Sequence, residues 1–427
     1  MSNALTSSRR SLSPFWLLCI LTGLNLFNYL DRYVLNAVRT PIAKEFHISY
    51  TASGVMMTVF MVGYFITAPF FGYLGDRFSR KWLIAFGIFV WSLGTIMTGF
   101  AATFTMLLAF RILVGVGEAS YATISPSLIS DTFGPEKRNN ALTIFYVAIP
   151  VGSAVGYVLG GDIAAVWGWR NAFILAGLPG LFLALILLPF PEVRRGQSEL
   201  AEGHAVTKPS WQQYFELFKN PRYQLVVWGY VAYTFAMGAF AAWGPTFLEE
   251  AHGLSTAQAD RFLGGTLVVA GLLGTFVGGF AATAWHKRNR AAYAWVLACS
   301  ILSAVPAAFA AFLVKDTMWS MVFLASAMFL LFLATGPVNT LIIETVPLNL
   351  RASAMALSIF MIHLFGDLWS PLIVGGLADL SSLNKAVLIL PLVLAIGGVF
   401  WTCLALTFRQ PGSAQTAEPA SAQNLSM

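Results

Sequence analysis

Residues Pro191–Arg222 read PEVRRGQSELAEGHAVTKPSWQQYFELFKNPR, the one long polar stretch lying between apolar runs in a chain of 427 residues. On both sides the sequence is a succession of apolar segments, each near the ~20 residues a helix needs to cross the hydrocarbon core of a bilayer. Six precede the stretch, at 14–38, 53–75, 82–103, 105–131, 138–161 and 169–190. Six follow it, at 223–248, 261–284, 291–313, 317–345, 352–378 and 385–408. The expected organisation is a tail (1–13), a six-helix bundle (14–190), a central loop (191–222), a second six-helix bundle (223–408) and a second tail (409–427). Within the loop, Trp211–Phe218 is amphipathic and suited to lie along a membrane surface.

Composition agrees with this all-α membrane reading. Hydrophobic residues make up 57% and charged residues 10%, against about a quarter charged in soluble domains. The 37 glycines and 35 phenylalanines suit helices packed closely in lipid. A formal net charge of +6 comes from Lys and Arg scattered between apolar runs rather than gathered on one face, which excludes a nucleic-acid partner. Cys19, Cys299 and Cys403 fall inside apolar runs without CxxC spacing, so neither a disulfide framework nor a metal site is expected. Arg9 and Arg10 precede an apolar run that continues to about Val38 with no A-x-A cleavage site, so a first spanning helix rather than a signal peptide is expected.

Loop charge sets the orientation. Of the 25 Lys and Arg residues, Arg39, Lys44, Arg170, Arg261, Lys315 and Lys385 fall on one side, Arg32 and Arg111 lie within the membrane, and the remaining seventeen fall on the side of the termini. The positive-inside rule then makes both termini and the central loop cytoplasmic. The two halves also repeat. Asp131-Thr132 stands seven residues before Arg138, and Glu344-Thr345 seven before Arg351; the helices that follow carry Gly160-Gly161 and Gly375-Gly376. Parallel repeats of this size are a transporter design.

The loop after the second run, Gly72-Tyr-Leu-Gly75-Asp76-Arg77-Phe78-Ser79-Arg80-Lys81, resembles the G-x-x-x-D-R-x-x-R-K signature of the major facilitator superfamily. Its counterpart near His286-Lys287-Arg288 keeps the basic charges and lacks the acid. Within the superfamily, Asn28-Tyr29-Leu30-Asp31-Arg32-Tyr33, Gly117-Glu118-Ala119-Ser120-Tyr121 with Ser125-Pro126, and His363-Leu364-Phe365-Gly366-Asp367 with Ser370-Pro371 resemble the spinster family of lipid transporters. The resemblance implies the superfamily fold of two pseudo-symmetric six-helix bundles and proton-linked movement of an amphiphile such as a lysophospholipid or a sphingoid phosphate. It also implies a monomer in a bacterial inner membrane.

Ionisable residues inside the membrane are expensive and default to functional hypotheses. Arg111 and Glu118 are seven apart on the fourth helix, nearly two turns, so they share a face at about 10 Å. Asp31 is the best-placed acid to partner Arg111 from the first helix, and adjacent Arg32 points elsewhere. Asp31 or Glu118 is thus the candidate proton carrier, with Arg111 and Arg32 as cationic partners; a permanent ion pair fixing helix packing is the plainer alternative. Arg111 also suits an anionic headgroup. Tyr29, Tyr121, Tyr233, His363 and Asp367 are further substrate-binding candidates, with Tyr230, Phe235, Met237 and Trp243 beside them on the seventh helix. His363 and Asp367, four apart, share a face where the acid can orient the imidazole, unless each is satisfied by local backbone.

Asp76, Arg77, Arg80, Asp131, Arg138, Glu344 and Arg351 are the expected gate on the cytoplasmic face, with Asp76 able to meet the positive end of the eleventh helix when the halves close there. Gly152, Gly156 and Gly160 recur every four residues and, with Gly161, read as a packing face. No phosphate loop, H-E-x-x-H or G-x-S-x-G motif occurs, so enzymatic chemistry and ATP drive are not expected, no cofactor is needed, and a proton gradient is the expected energy source. An organic-anion or sugar-acid symporter and an uncoupled lipid scramblase stand as alternatives.

Overall fold

The computed structural model describes residues 13–75, 77–133, 135–188, 192, 211–347 and 350–408. Twelve long helices carry the fold: α1 (Pro14–Ala37), α2 (Tyr50–Gly75), α3 (Arg80–Gly99), α4 (Phe104–Thr132), α5 (Pro135–Trp167), α6 (Trp169–Leu187), α7 (Pro221–His252), α8 (Thr256–His286), α9 (Ala292–Leu313), α10 (Thr317–Glu344), α11 (Ala354–Leu380) and α12 (Leu383–Thr407). Short helices Arg39–Phe46 and Trp211–Lys219 lie between α1 and α2 and before α7.

Eleven of the twelve are long and apolar enough to cross a membrane by composition, and α1 is the exception. The reason is its polar content. Asn25, Asn28 and Asp31 are all turned inward and buried, and the Asn25 amide donates to the carbonyl of Phe145 on α5 at 2.9 Å. By contrast the exposed side chains are conspicuously apolar: Phe70, Phe182, Phe276 and Phe280 stand out from the bundle. Such a surface is stable only against lipid.

The halves have matching internal packing. In the first, α1 packs on α5, α3 on α4 and α6, and α2 on α4; in the second, α7 packs on α11 and α12, α9 on α10 and α12, and α8 on α10. Between the halves, α5 meets α8 and α2 meets α11, two contacts that exchange under the same pseudo-two-fold. The glycines of α5 explain how closely its neighbours approach. A side chain at Gly152 or Gly156 would run into the backbone of α1 at Leu26 and Leu30, one at Gly160 would press on Val34 and Ala37, and one at Gly161 would strike Asp260 of α8. This is the packing face expected from the four-residue spacing.

Two departures from regular helix matter for the site. The α2 span is made of segments Tyr50–Thr58 and Phe60–Gly75. In α11, His363–Asp367 forms a π turn, with the N–H of Leu368 donating to the carbonyl of His363. Insertions of this kind are frequent where a helix serves a site.

Candidate functional site

Four charges meet inside the first bundle. Arg32 donates through Nε and Nη2 to one oxygen of Glu118, at 2.7 and 2.6 Å. Arg111 Nη1 lies 3.8 Å from Asp31 Oδ1, while the hydroxyl of Thr95 on α3 donates to the other oxygen of Asp31. Asp31 is 2% exposed, and Arg111 and Glu118 are 0% exposed. The guanidinium of Arg32 stacks over Tyr29 at 5.2 Å and Phe60 at 4.9 Å, and that of Arg111 over Phe60 at 5.8 Å. Arg111 and Glu118 do not pair with each other, as their separation along α4 requires. The close pair is instead Arg32 with Glu118, so Arg32 is a full member of the cluster.

The cluster is incompletely bonded. Asp31 Oδ1, Glu118 Oε1, and Nε and Nη1 of Arg111 are buried without a hydrogen-bond partner. Burying charges costs several kcal/mol per ion unless every polar atom is satisfied. Two acids and two guanidinium groups balance in formal charge, so protonating either acid leaves an uncompensated cation. Asp31 is held by one hydroxyl and a 3.8 Å ion pair, and Glu118 by two short contacts from one guanidinium.

A cavity of about 320 Å³ lies between the bundles. Tyr33 and Tyr157 form its wall from the first half; from the second come, among others, Tyr230, Tyr233, Thr234, Met237 and Phe240 of α7, Leu263 of α8, Met328 of α10 and Ile362 of α11. Its charged lining is His363 and Asp367. The imidazole Nδ1 lies 3.0 Å from both carboxylate oxygens of Asp367, so the π turn keeps the two side chains together despite its looser winding. Tyr29 borders the cluster through its stacking on Arg32 rather than lining this cavity.

Two substrate-binding expectations are corrected. Tyr121 is 1% exposed, donates to the carbonyl of Leu21 and packs edge-on against Trp91, so it belongs to the core of the first bundle. Arg111 is enclosed by Asp31 and Phe60 and does not reach the cavity, so it cannot meet a headgroup in this conformation. On α7, Trp243 is likewise a buried packing residue, donating to the carbonyl of Pro371 at 3.0 Å, and Phe235 packs against the core.

The bundles are fastened at the end away from the chain termini. Asp379 at the end of α11 accepts the N–H groups of Tyr50 and Thr51 at 2.9 and 2.8 Å, and the hydroxyl of Thr51 as well. Arg39 crosses the same seam, donating to Thr246 of α7 at 2.7 Å and stacking on Trp243 at 4.8 Å. On the pseudo-symmetric side, Arg261 of α8 pairs with Asp162 of α5 at 2.8 Å, and Tyr157 donates to the carbonyl of Ala241.

The gate expected at the opposite end is not joined across the seam among the described residues. Arg80 pairs with Asp131 at 2.6 Å and reaches Ser127, all within the first bundle. Arg77 stacks on Tyr73 at 3.6 Å, and Glu344 is exposed at the end of α10. Asp76 lies outside the described residues, as do the side chains of Arg138 and Arg351. The contacts that the described gate residues make thus lie within their own halves.

Comparison with known proteins places this architecture. Residues 21–370 match the model of the Major Facilitator Superfamily. Protein spinster homolog 1 of Xenopus laevis is 36% identical over 420 residues, covering 91% of this chain and 80% of that protein. The chain belongs to the spinster family of the major facilitator superfamily. The sphingosine-1-phosphate transporter SPNS2 of Danio rerio is 32% identical over 422 residues, covering 91% of this chain and 83% of that protein. Among solved structures, a bacterial homologue of the human lysosomal transporter Spinster, in an inward-facing and occupied conformation, superposes with a TM-score of 0.83 at 23% identity, covering 93% and 98% of the two chains. The D-xylose-proton symporter gives 0.71 at 19% identity.

This spinster protein is therefore a membrane transporter and not an enzyme. The residues of its site that sequence reasoning passed over are Tyr157 in the cavity wall and the latch formed by Arg39, Tyr50, Asp162 and Asp379. Tyr33 lies inside one of the family motifs, and its place in the cavity wall depends on the rotation of α1. Tyr157 carried a usable signal: it is the one aromatic side chain set among the four spaced glycines of α5.

Proposed function

We propose that this spinster protein is a proton-coupled secondary transporter that moves a single-chain amphiphile, such as a lysophospholipid or a sphingoid phosphate, by alternating access. The observation that carries the reading is a largely buried, incompletely bonded four-charge cluster on α1 and α4, whose Arg32 is next in the chain to Tyr33 in the wall of a cavity lined mostly by aromatic and apolar side chains. A cavity of mostly aromatic and aliphatic walls that also presents His363 and Asp367 accepts a molecule that is apolar over most of its length and polar at one end. SPNS2, by its name a sphingosine-1-phosphate transporter, supports the same substrate class.

The cluster supplies coupling without any cofactor. Tyr29 stacks on Arg32, and Tyr33 lines the cavity one turn further along α1. A substrate pressing on this face of α1 moves Arg32 relative to Glu118, and the acid that loses its cation takes up a proton. Rocking of the halves then exchanges which end is open. With the termini and central loop cytoplasmic by loop charge, the fastened end faces outward and the cavity belongs to an inward-facing state. The site of action is an inner, plasma-type bacterial membrane, and one chain suffices because cluster and cavity are complete within it.

The test is proton flux into proteoliposomes bearing an imposed pH gradient, with lysophospholipids, sphingoid phosphates and sugar acids added in turn. Flux in response to single-chain lipids, lost in Glu118→Gln and in Asp31→Asn, is expected. Lipid movement that ignores the gradient means a scramblase, and a response to sugar acids alone moves the substrate to an organic anion.

A further inference from the structure

Asp260 sits where α8 meets α5, and nothing in the transport reading uses it. It is 0% exposed, and neither of its carboxylate oxygens has a hydrogen-bond partner. Room for it exists only because residue 161 is glycine: a methyl group there would overlap Asp260 Oδ2. The groups that face it add to the difficulty of a charge. Asp162 and Tyr157 approach from α5 and Glu249 from α7. The neighbouring cation on its own helix, Arg261, is turned to Asp162, with contacts of 2.9 and 2.8 Å. Arg39 and Lys44, the other cations nearby, lie toward Glu249.

An isolated ionised carboxylate with no donor to meet it, enclosed beside further acids, is among the costliest arrangements a fold can hold. A neutral carboxylic acid in the same place costs far less. Asp260 also lies on the seam that must part if the far end is to open, since its enclosing surface at Gly161 belongs to the opposite bundle. Among the described residues no group of three His, Cys, Asp or Glu ligands collects there, so the ligand that fits is a proton rather than a metal ion.

We propose that Asp260 is a second proton-binding site, separate from the Asp31 and Glu118 cluster, which holds a proton while the outer seam is closed and releases it to outside water when the seam opens. The sign follows from linkage: the closed state binds one more proton than the open state, so external acid favours closure and raising the pH favours opening. A single proton permits at most about a tenfold change in the open-to-closed ratio per pH unit. The site acts as a pH-set latch and not as the carrier, because in the closed state it lies against the fastened end. The inference rests on the alternating-access reading but not on proton-driven flux.

The experiment places spin labels at Ala102→Cys and Asn384→Cys, exposed positions at the far ends of the two halves, in a chain whose Cys19, Cys299 and Cys403 are replaced by serine. Distance distributions are measured in nanodiscs between pH 5 and pH 9. In the otherwise native chain the long-distance population is expected to grow as pH rises. Asp260→Asn, which keeps the shape of the protonated acid, is expected to hold the short distance throughout. An open population that ignores pH in the native chain, one that responds equally in Asp260→Asn, or one that follows sodium at fixed pH overturns the proposal. If no condition yields an open population, alternating access at this seam fails, and the latch with it.

Discussion

Asp379, in the last turn of α11, accepts the backbone N–H of Thr51, in the first turn of α2, at 2.8 Å. An acid from one bundle thereby caps a helix of the other. Unpaired N–H groups and the positive end of the helix dipole make that terminus a natural partner for a carboxylate. The same relation was expected of Asp76 toward α11 at the other end of the molecule, so the device reads as one used alternately. Hydrogen bonds to a charged acceptor contribute about 1.5–3 kcal/mol when sheltered. Asp379 is exposed, which brings the contribution nearer 1 kcal/mol, roughly a fivefold change in a two-state ratio. Asp379→Ala is therefore expected to enrich the open form of the far end about fivefold, measured by spin-label distances, and to leave the melting temperature of the purified protein nearly unchanged.

Glycines at two kinds of interface predict two kinds of failure. At Gly156 an added Cβ would stand 2.9 Å from Tyr33 Cβ, inside the first bundle. At Gly54 it would stand 2.7 Å from the carbonyl oxygen of Pro371, across the seam. Overpacking a fixed interface costs about 1–3 kcal/mol. Gly156→Ala is expected to lower the thermal stability in detergent, because α1 and α5 pack together within one half. Gly54→Ala is expected to spare stability and shift the molecule toward the form open at the far end, where α2 and α11 part. Equal melting points and equal distance distributions for the two variants would contradict the division into rigid halves and a moving seam.

The twelve spans could be read because each is a single stretch of hydropathy, and even α1 was long enough to be recognised despite Asp31 and Arg32. Asp31 beside Arg111 was accessible to reasoning as well, since an arginine buried in a membrane must have an acid and few candidates exist. The pairing of Arg32 with Glu118 was not, because it depends on the rotation of α1 against α4, which no local pattern encodes. The role of Asp379 was hidden for a different reason. It lies 328 residues from Thr51, and a charge at a helix end looks the same whether it meets water or another helix. His363 and Asp367 were correctly set side by side, but regular spacing gave no hint of the π turn between them. Tyr121 shows the converse: its motif suggests a substrate contact, although its hydroxyl is consumed by the carbonyl of Leu21.

A surface pair predicts acid sensitivity outside the membrane. Glu45, on the short helix after α1, accepts from Arg170 at 2.6 Å and from the indole of Trp169 at 2.7 Å. These hydrogen bonds, the one from Arg170 foremost, hold its carboxyl below the usual carboxylate value. A lowered folded-state value means that the stabilisation is fully present above the unfolded value of about 4.3 and is lost as pH falls through the lowered one. Both side chains are well exposed, so screening keeps the effect small. The drop in melting temperature between pH 7 and pH 3.5 is expected to be smaller in Glu45→Gln than in the native chain, and a drop of the same size would show that the pair adds nothing.

Whether the four-charge cluster is structural glue or a movable element is decided by a double-mutant cycle on Arg32 and Glu118. Removing one partner of a buried pair leaves an uncompensated charge, at a cost of about 3–5 kcal/mol, whereas replacing both by neutral groups is often near neutral. Glu118→Gln leaves Arg32 stacked on Tyr29, Phe60 and Tyr64 without its paired acid, and Arg32→Gln leaves Glu118 fully enclosed. Each single variant is expected to melt well below the native protein. The double variant is expected to regain near-native stability and still fail to couple substrate to proton flux. Were the pair only glue, the stable double variant would transport normally, because a neutral pair packs the helices as well as a charged one. Stability regained without coupling is therefore the outcome that assigns the charges to transport rather than to the fold.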